Sequence, residues 1–276
     1  LVRDAREHGV TVVGVDVNAS NWECTLEPLP NGEPREFQIR LGLCMIRGLA
    51  QQVGQQVVQA RQTGAFLDLA DFARRTRLGR AAVTSLAEAG CLSTLTGNRR
   101  AAYWQSLAQE KSPRELSLFE ATGADIDDSI PDSLLEMQEI EEVYADYETT
   151  GLSLRAHPVS FVREQLSRLQ VTTAAGMKAV EDGEAIRVAG LVLMRQRPST
   201  AKGITFVTLE DETGSMNLVL RQAIWERHYK IARRSNAWLV NGILENREGI
   251  VHVVVGRIDD LSQQVSGLAL RSRDFH

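Results

Sequence analysis

Short apolar runs separated by polar turns fill the last third of the chain. Five of them have the length and the β-branched content of strands, and they lie at residues 186–193, 204–209, 216–220, 238–244 and 250–255. Between the third and the fourth run, residues 222–232 place their apolar side chains at helical spacing. Three strands, one helix and two strands follow the order of an OB-fold, a small Greek-key barrel. We therefore predict this barrel, and the pattern leaves its ligand class open.

Helical periodicity and an excess of arginine mark residues 36–104, which carry a net charge of +5. Within this region, Ile46, Arg47, Gly48 and Leu49 separate two helical patterns. Glycine lets the backbone turn tightly, and the next helix then offers free amides to a phosphate. We predict a helix-hairpin-helix that holds the backbone of duplex DNA through Arg47, Gly48 and Leu49 without reading bases. A plain helical bundle with glycine stops fits the same pattern.

The pattern also predicts simpler elements on both sides of this hairpin. A second pair of helices is expected at residues 67–75 and 80–88. Upstream, we expect the end of a helix, a strand at residues 10–17 and a loop at 18–34. Because the sequence opens within a helical pattern, we expect it to be a piece of a longer protein.

Acidic residues collect in the middle of the chain. Helices are predicted at residues 133–147 and 159–169, and the first of these is amphipathic and acidic. Its carboxylates do not follow the spacing of metal ligands, so we expect a solvated face and no metal site.

One apolar group interrupts the polar, acidic stretch of residues 111–131. Leu116, Leu118 and Phe119 can dock in a hydrophobic groove, because two or three apolar anchors supply most of the energy of such a contact. The group resembles the Gln-Leu-Ser-Leu-Phe type of bacterial sliding-clamp motif, with Glu115 in place of the expected Gln. The alternative is a linker segment that packs on its own domain.

Charge is distributed unevenly over the 276 residues, whose net charge is −5. Residues 1–110 carry +1, residues 111–170 carry −8 and residues 171–276 carry +2. A local basic face decides phosphate binding, so the negative total does not exclude a nucleic-acid ligand. No apolar run approaches the roughly 20 residues that span a bilayer. Cys24, Cys44 and Cys91 are far apart in the sequence, which indicates free thiols of a reducing, cytoplasmic compartment.

Catalytic motifs are not found in the sequence. The five histidines stand in unrelated contexts, and there is no nucleophile elbow, phosphate loop or zinc-protease motif. We predict neither catalytic residues nor metal ligands in this chain, so any chemistry that it serves is expected outside it.

Several long segments resemble the bacterial error-prone DNA polymerases, relatives of the alpha subunit of DNA polymerase III. The segments are VTVVGVDVNASNWECTLE at 10–27, IRLGLCMIRGL at 39–49, LADFARRTRLGRAAVTSLAEAGCL at 69–92, DYETTGLSLRAHPV at 146–159, RPSTAKGITFVTLEDETG at 197–214 and RSRDFH at 271–276. The resemblance implies the C-terminal portion of a DNA-directed DNA polymerase that acts in damage tolerance and translesion synthesis. It also implies that the catalytic aspartates and their Mg²⁺ lie upstream, with no cofactor in this portion.

The resemblance implies an α+β, multidomain organisation. The expected parts are the end of a fingers domain at 1–35, a helix-hairpin-helix region at 36–110, an acidic linker with connector helices at 111–184, an OB-fold at 185–262 and a C-terminal tail at 263–276. The implied partners are primer–template duplex, single-stranded template, an inactive Y-family polymerase homologue, a small recombinase-like protein and the sliding clamp.

The barrel contains the second set of predicted DNA contacts. Four cations flank its first inter-strand loop or follow its third strand, and these are Arg195, Arg197, Lys202 and Arg221. Phe206 could stack on a base or pack in the core, because alternation alone does not say which side of its strand faces out. Three further aromatic residues, Trp225, Tyr229 and Trp238, are expected in the core.

Two other functions compete with DNA holding. A protein-interaction scaffold, in which the barrel and the acidic connector dock accessory mutagenesis subunits, fits the weak positive charge of the barrel. An anticodon-binding module of a tRNA synthetase fits the barrel, but it does not account for the predicted hairpin or connector.

Overall fold

A computed structural model describes residues 2–29, 36–108, 135–198, 203–247, 249–262, 265 and 273–275. The chain forms two compact units, residues 1–154 and 155–276. Among the described residues, no helix is long and apolar enough to cross a membrane.

The first unit is mainly helical. Its helices are α1 Val2–Glu7, α2 Gln51–Arg61, α3 Leu69–Thr76, α4 Arg80–Glu88, α5 Ser93–Thr96, α6 Arg99–Ala108 and α7 Glu139–Thr149, and its strands are β1 Thr11–Val13, β2 Thr25–Pro28 and β3 Phe37–Arg40. Side chains from α2, α3, α4 and α6 and from the segments that precede or connect them form one core, in which Leu43, Phe72, Leu86 and Leu92 are fully buried. The second predicted pair, α3 and α4, and the helix α2 of the first pair are thus built around a shared apolar centre. The first helix of the first pair is observed only as the 3₁₀ segment Leu43–Met45.

A small sheet replaces part of the predicted loop. The strand predicted at 10–17 is confined to β1, the predicted loop at 18–34 contains β2, and the predicted helical region at 36 begins with β3. The central strand β3 runs parallel to β1 and antiparallel to β2. Strands of three or four residues are too short to show alternation, and pairing with distant strands stabilises them.

Close packing fixes the start of the helical region. The ring of Trp22 lies on Gly54 of α2, where an added Cβ would be 2.4 Å from Trp22 Cε3. Glycine is therefore required at this buried helical position for steric reasons.

The second unit contains a barrel and the helices around it. Its helices are α8 Arg163–Arg168, α9 Gln222–Arg227 and α10 Tyr229–Arg234, and its strands are β4 Ala185–Gln196, β5 Thr205–Asp211, β6 Gly214–Leu220, β7 Ala237–Arg247, β8 Ile250–Asp260 and β9 Arg273–Phe275. Two 3₁₀ segments, Pro158–Val162 and Ala175–Ala179, precede the barrel.

The five-stranded barrel is closed, as the sequence predicts. The strands follow the order β5-β6-β8-β7-β4, and β4 pairs with β5 to complete the ring. Only β6 and β8 are parallel within it, and they pair at Leu218–Val253 and Val219–Val254. This connectivity is that of an OB-fold. Its interior is filled by alternating apolar side chains around the fully buried Trp238.

Three predicted helices differ from the observed ones. The helix predicted at 222–232 is divided into α9 and α10, because His228 has φ −106° and ψ 22°. The helix predicted at 159–169 begins as the 3₁₀ segment and continues as α8. The helix predicted at 133–147 is observed as α7, which begins at Glu139 because Gln138 and Glu141 form a capping box there.

Candidate nucleic-acid interface

Gly48 forms the tight turn of the first hairpin. A 3₁₀ segment at Leu43–Met45 comes before the turn and α2 follows it, and Gly48 has φ +75°. The predicted glycine bend is therefore present between two helical segments. Gln51 and Gln52 are exposed in the first turn of α2, where backbone amides lack intrahelical acceptors.

The flanking residues of the turn are engaged within the unit. The Arg47 amide donates to the Thr149 carbonyl at 2.7 Å, and Arg47 Nη1 donates to the Glu148 carbonyl at 3.2 Å. A cation at the C-terminal end of α7 is favourable, because the helix dipole is negative there. Leu49 packs against the core and its amide donates to the Ile46 carbonyl. In this structure, Arg47 joins the hairpin to α7 and Leu49 anchors the turn.

A second turn presents cations that the sequence reasoning did not nominate. The turn between α3 and α4 contains Arg77 with φ +50°, and Gly79 is the N-cap residue of α4. Arg77 and Arg80 are exposed, and so is Arg74, although Arg74 donates to Asp71 at 2.6 Å. The sequence feature that indicates this basic turn is the run Arg-Arg-Thr-Arg-Leu-Gly-Arg at residues 74–80.

Most of the other arginines in residues 36–104 make internal contacts. Arg61 Nη1 donates to the carbonyls of Val17 and Ser20, both at 2.9 Å. The Arg75 guanidinium donates to the Ala60 carbonyl at the end of α2 and to two carbonyls of the α2–α3 loop, and it lies 4.5 Å from the centroid of the Phe66 ring. The local excess of positive charge is therefore only partly a surface for phosphate.

One carboxylate of the acidic helix α7 is buried and a second is partly buried, which corrects the expected solvated face. Glu142 and Asp146 both pair with Arg99 of α6, and only 8% of the Arg99 side chain is exposed. Arg100 pairs with Glu141 at 3.3 Å in a more exposed position. The α7 carboxylates thus neutralise two arginines that the sequence reasoning counted toward a basic region.

A row of side chains crosses the open face of the barrel. Phe206 on β5 pairs with Val219 on β6, and Val219 pairs with Val254 on β8. Val207 and Leu209 are buried while Phe206 is 41% exposed, so Phe206 belongs to the outward set. The row forms the floor of a cleft of about 450 Å³, and Ile250, which is 66% exposed, lies at its edge.

Charged groups line the same cleft. Arg221 and Arg247 contribute cations, and His252 and Glu245 face each other across β7 and β8 with 3.3 Å between His252 Nε2 and Glu245 Oε2. Glu245 also accepts from Arg247 at 2.9 Å. An exposed aromatic ring beside guanidinium groups can stack on a base and bind the adjacent phosphates.

The four predicted cations of the barrel have different positions. Arg221 lines the cleft, and Arg197 is exposed just beyond β4. Arg195 is only 5% exposed; its Nη2 donates to the Ser235 carbonyl and its guanidinium lies 5.4 Å from the Trp238 ring. The assignment of Arg195 to a DNA contact is therefore corrected. Lys202 lies outside the described residues.

Tyr229 also differs from its prediction. Trp238 is fully buried and Trp225 packs against the barrel core, as expected. Tyr229 is instead 46% exposed, because the break at His228 leaves it on the outer side of α10.

Several other predicted features bear on chemistry. Burial raises the pKa of the Cys91 thiol, and burial together with the nearby Cys24 raises the pKa of Cys44. Cys24 and Cys44 are neighbours in the fold, because the Gly42 amide donates to Cys24 Sγ and the Cys44 amide donates to the Trp22 carbonyl. Within the described ranges, no group of His, Cys, Asp and Glu could hold a metal ion. The predicted clamp-binding residues Leu116, Leu118 and Phe119, with Glu115, lie outside these ranges.

Two sequence families match the two units. Residues 9–102 match a family described as a helix-hairpin-helix motif, and residues 186–261 match one described as an OB-fold nucleic acid binding domain. With the glycine turns and the closed barrel, these matches define a protein that combines two types of nucleic-acid-binding domain.

The most informative relatives are error-prone DNA polymerases. The chain is 51% identical to that of Rhodopirellula baltica and 40% identical to that of Pseudomonas fluorescens, and both matches cover 100% of this chain. The matches cover 24% and 27% of those proteins, so the chain spans about a quarter of the length of the curated relatives. The chain is thus homologous over its whole length to the C-terminal portion of error-prone DNA polymerases.

Similarity to solved structures is limited. Asparaginyl-tRNA synthetase from Pyrococcus horikoshii, complexed with asparaginyl-adenylate, has a TM-score of 0.30 and 22% identity, over 33% of this chain and 22% of the synthetase chain. A similarity of this extent has no bearing on function.

Proposed function

We propose that this chain is the DNA-holding portion of an error-prone, damage-tolerant DNA-directed DNA polymerase. The open face of the barrel binds single-stranded template, and the two helical hairpins hold the backbone of the primer–template duplex. The proposal rests on the homology to error-prone polymerases and on the two nucleic-acid-binding domains.

The observation that carries the proposal is the row Phe206–Val219–Val254 in the cleft with Arg221 and Arg247. A base that stacks on Phe206 would place its phosphates near these guanidinium groups. Stacking is tolerant of base identity because each base has a π-face. Such a contact suits an enzyme that moves along template of any sequence.

The hairpins supply the second, sequence-independent contact. The first-turn amides of the exposed residues Gln51 and Gln52 and the exposed side chains of Arg77 and Arg80 would donate to phosphate oxygens. Contacts of this kind position a protein on duplex DNA without specifying sequence. The catalytic aspartates and Mg²⁺ would belong to the part of the polymerase upstream of this chain. Accessory mutagenesis proteins and the sliding clamp would be its protein partners.

Truncation of Phe206 tests the barrel assignment. Phe206→Ala removes the stacking surface and should weaken binding of a labelled oligothymidylate roughly 5- to 150-fold, since stacking on one aromatic ring contributes about 1–3 kcal/mol. Fluorescence anisotropy at fixed salt measures the affinity.

Phe37→Ala is the matched control, because Phe37 is 46% exposed but lies on β3 of the other unit. It should leave the affinity unchanged. Equal affinities for Phe206→Ala and the parent chain would contradict the assignment of the cleft to single-stranded DNA.

A scaffold for accessory proteins is the second candidate. It is favoured by the charge of −8 over residues 111–170 and by the internal use of Arg47, Arg61, Arg75 and Arg99. This alternative requires that the chain capture a purified accessory protein while a gel shift detects no single-stranded DNA binding.

A further inference from the structure

The outer side of α9 and α10 carries a concentrated positive charge. Between residues 221 and 234 there are five cations and one acid, and the cations are Arg221, Arg227, Lys230, Arg233 and Arg234. All five are exposed. Tyr229, Lys230, Arg233 and Arg234 line a shallow depression of about 200 Å³, which shares no lining residue with the cleft of the open face. We call Arg227, Tyr229, Lys230, Arg233 and Arg234 the helical patch.

Three of these cations make no contact that uses their charge within the described residues. Some other arginines of this unit are paired, for example Arg163 with Asp211 and Glu212, and Arg257 with Asp259. By contrast, no side-chain hydrogen bond or ion pair involves Arg227, Lys230 or Arg234 in the described part of the chain.

The nearby carboxylate of Glu226 does not pair with Lys230 of the helical patch. Glu226 stands four residues before Lys230, a spacing that favours an ion pair on a helix. Its carboxylate instead accepts from Gln222 Nε2 at 2.8 Å. Lys230 is followed at three and four residues by Arg233 and Arg234, and like charges at these spacings are destabilising. This arrangement favours an external anion over an internal partner.

An aromatic ring lies within the helical patch. The Arg233 guanidinium lies 5.8 Å from the centroid of the Tyr229 ring, and its Nη1 donates to the Tyr229 hydroxyl. This contact holds an exposed ring among cations, which is the combination that binds single-stranded nucleic acid.

We propose that the helical patch is a second contact for single-stranded DNA, which binds the phosphates of the strand after it leaves the open face. The inference rests on the proposed function of that face. Arg221 connects the two sites, because it lines the cleft and also caps the start of α9. Each of the two helices rises only about 9 Å over its six residues, so a strand that passes Arg221 reaches the patch within a few nucleotides.

Oligonucleotides of two lengths test this inference. One of about 8 nucleotides occupies one OB-fold face, and one of about 30 nucleotides also extends beyond it. In the 276-residue chain, Lys230→Glu/Arg234→Glu should weaken binding of the longer oligothymidylate at least roughly tenfold. It should reduce the salt slope by about 1.4, since each phosphate contact on a single strand contributes about 0.7. Binding of the shorter strand should change less than about twofold.

The control changes the same charge elsewhere in the unit. Arg168→Glu/Lys178→Glu alters two exposed cations outside the patch and should leave both affinities unchanged. Equal thermal melting curves show that the variants are folded, and Lys230→Gln/Arg234→Gln should weaken binding of the longer strand by a smaller factor.

The outcomes separate this inference from the proposed function. If Phe206→Ala weakens both lengths and the patch variant weakens neither, the helical patch is not a DNA site and the open face remains one. If Phe206→Ala has no effect, the proposed function of the face fails instead. If Lys230→Glu/Arg234→Glu abolishes binding of the shorter strand, the open face and the helical patch are not two separate contacts, and the inference is overturned. Loss of binding to polyglutamate with unchanged DNA binding would assign the patch to an acidic protein.

Discussion

Asp71 illustrates how one carboxylate organises the second hairpin. It is mostly buried at the start of α3, where its amide donates to the Asp68 cap at 2.7 Å. Its own oxygens accept from the Leu67 amide and from the guanidinium groups of Arg74 and Arg75. Burial raises the pKa of Asp71, but the hydrogen bonds from Arg75, Arg74 and Leu67 outweigh it and lower the pKa below its usual value.

Acid should weaken the fold through this residue. A carboxyl whose pKa is lower in the folded state contributes stability above the unfolded pKa of about 3.9 and loses it as the pH falls through the folded value. The urea concentration at the unfolding midpoint of the parent chain should therefore decrease as the pH is lowered below about 4. Asp71→Asn should show a lower midpoint at pH 7 and a smaller fall in acid.

Asp4→Asn is the control, because this side chain is 71% exposed. Its midpoint should follow that of the parent chain at every pH. If the urea midpoint of Asp71→Asn decreases in acid as much as that of the parent chain, groups other than Asp71 cause the acid sensitivity.

At this scale the sequence predicted the type of residue better than its position. Phe206 could be placed in either set of its strand, and only the burial of Val207 and Leu209 decides between them. Arg195 was expected beside a loop, but β4 continues to Gln196 and its register shifts between Val192 and Met194. A single residue of shift reverses the face of a side chain, so the sequence cannot settle such positions.

The helices α6 and α7 form an element held together by buried ions. Arg99 Nη1 lies 3.0 Å from Glu142 Oε2 and donates to the Glu142 carbonyl, and Nη2 donates to Asp146. Taking these ions out of water is costly, and their mutual contacts offset that cost only when all partners are present. Arg99 therefore makes the most buried of the arginine contacts described for the acidic helix.

Removal of that arginine should release α7. Arg99→Met removes the buried guanidinium that pairs with Glu142 and Asp146 and should cost about 3–5 kcal/mol of unfolding free energy. Hydrogen exchange of the α7 amides should accelerate in parallel. Arg100→Met is the comparison, because its pair with Glu141 is partly exposed and should contribute only about 0–1 kcal/mol. Equal losses for the two variants would show that burial of the Arg99 cluster is unimportant.

Elements were predicted well where they are long and periodic. The barrel strands, the glycine turn and the paired helices follow from local patterns, because each presents a repeated apolar face. The three-stranded sheet and the pairing of Arg99 with α7 were missed, because both depend on residues distant in the sequence. The acidity of α7 was visible, but its internal partner was not.

For the whole molecule, the proposed duplex contact includes the cations beside the second turn. Arg77 and Arg80 are exposed there, so we expect both to contribute to the salt dependence of duplex binding. Arg77→Asn/Arg80→Gln should reduce the salt slope of duplex binding by about 1.8, since each phosphate contact contributes about 0.9. Asparagine suits position 77, because it tolerates the left-handed backbone found there.

Affinity for a labelled duplex measured over a range of salt concentrations gives this slope. Arg6→Gln, a change at an exposed arginine of α1, should leave it unaltered. An unaltered slope for the double variant would place the duplex on another part of the protein.

The barrel closes through unequal joins. Strands β7 and β8 are paired over most of their length, whereas the parallel strands β6 and β8 meet at only two residue pairs. One of those pairs, Val219–Val254, lies in the floor of the cleft. A strand of DNA lying from Phe206 to Ile250 would span the join between β6 and β8, the least extensively paired strands of the barrel. Bound DNA and the closed barrel would therefore stabilise each other at the same place.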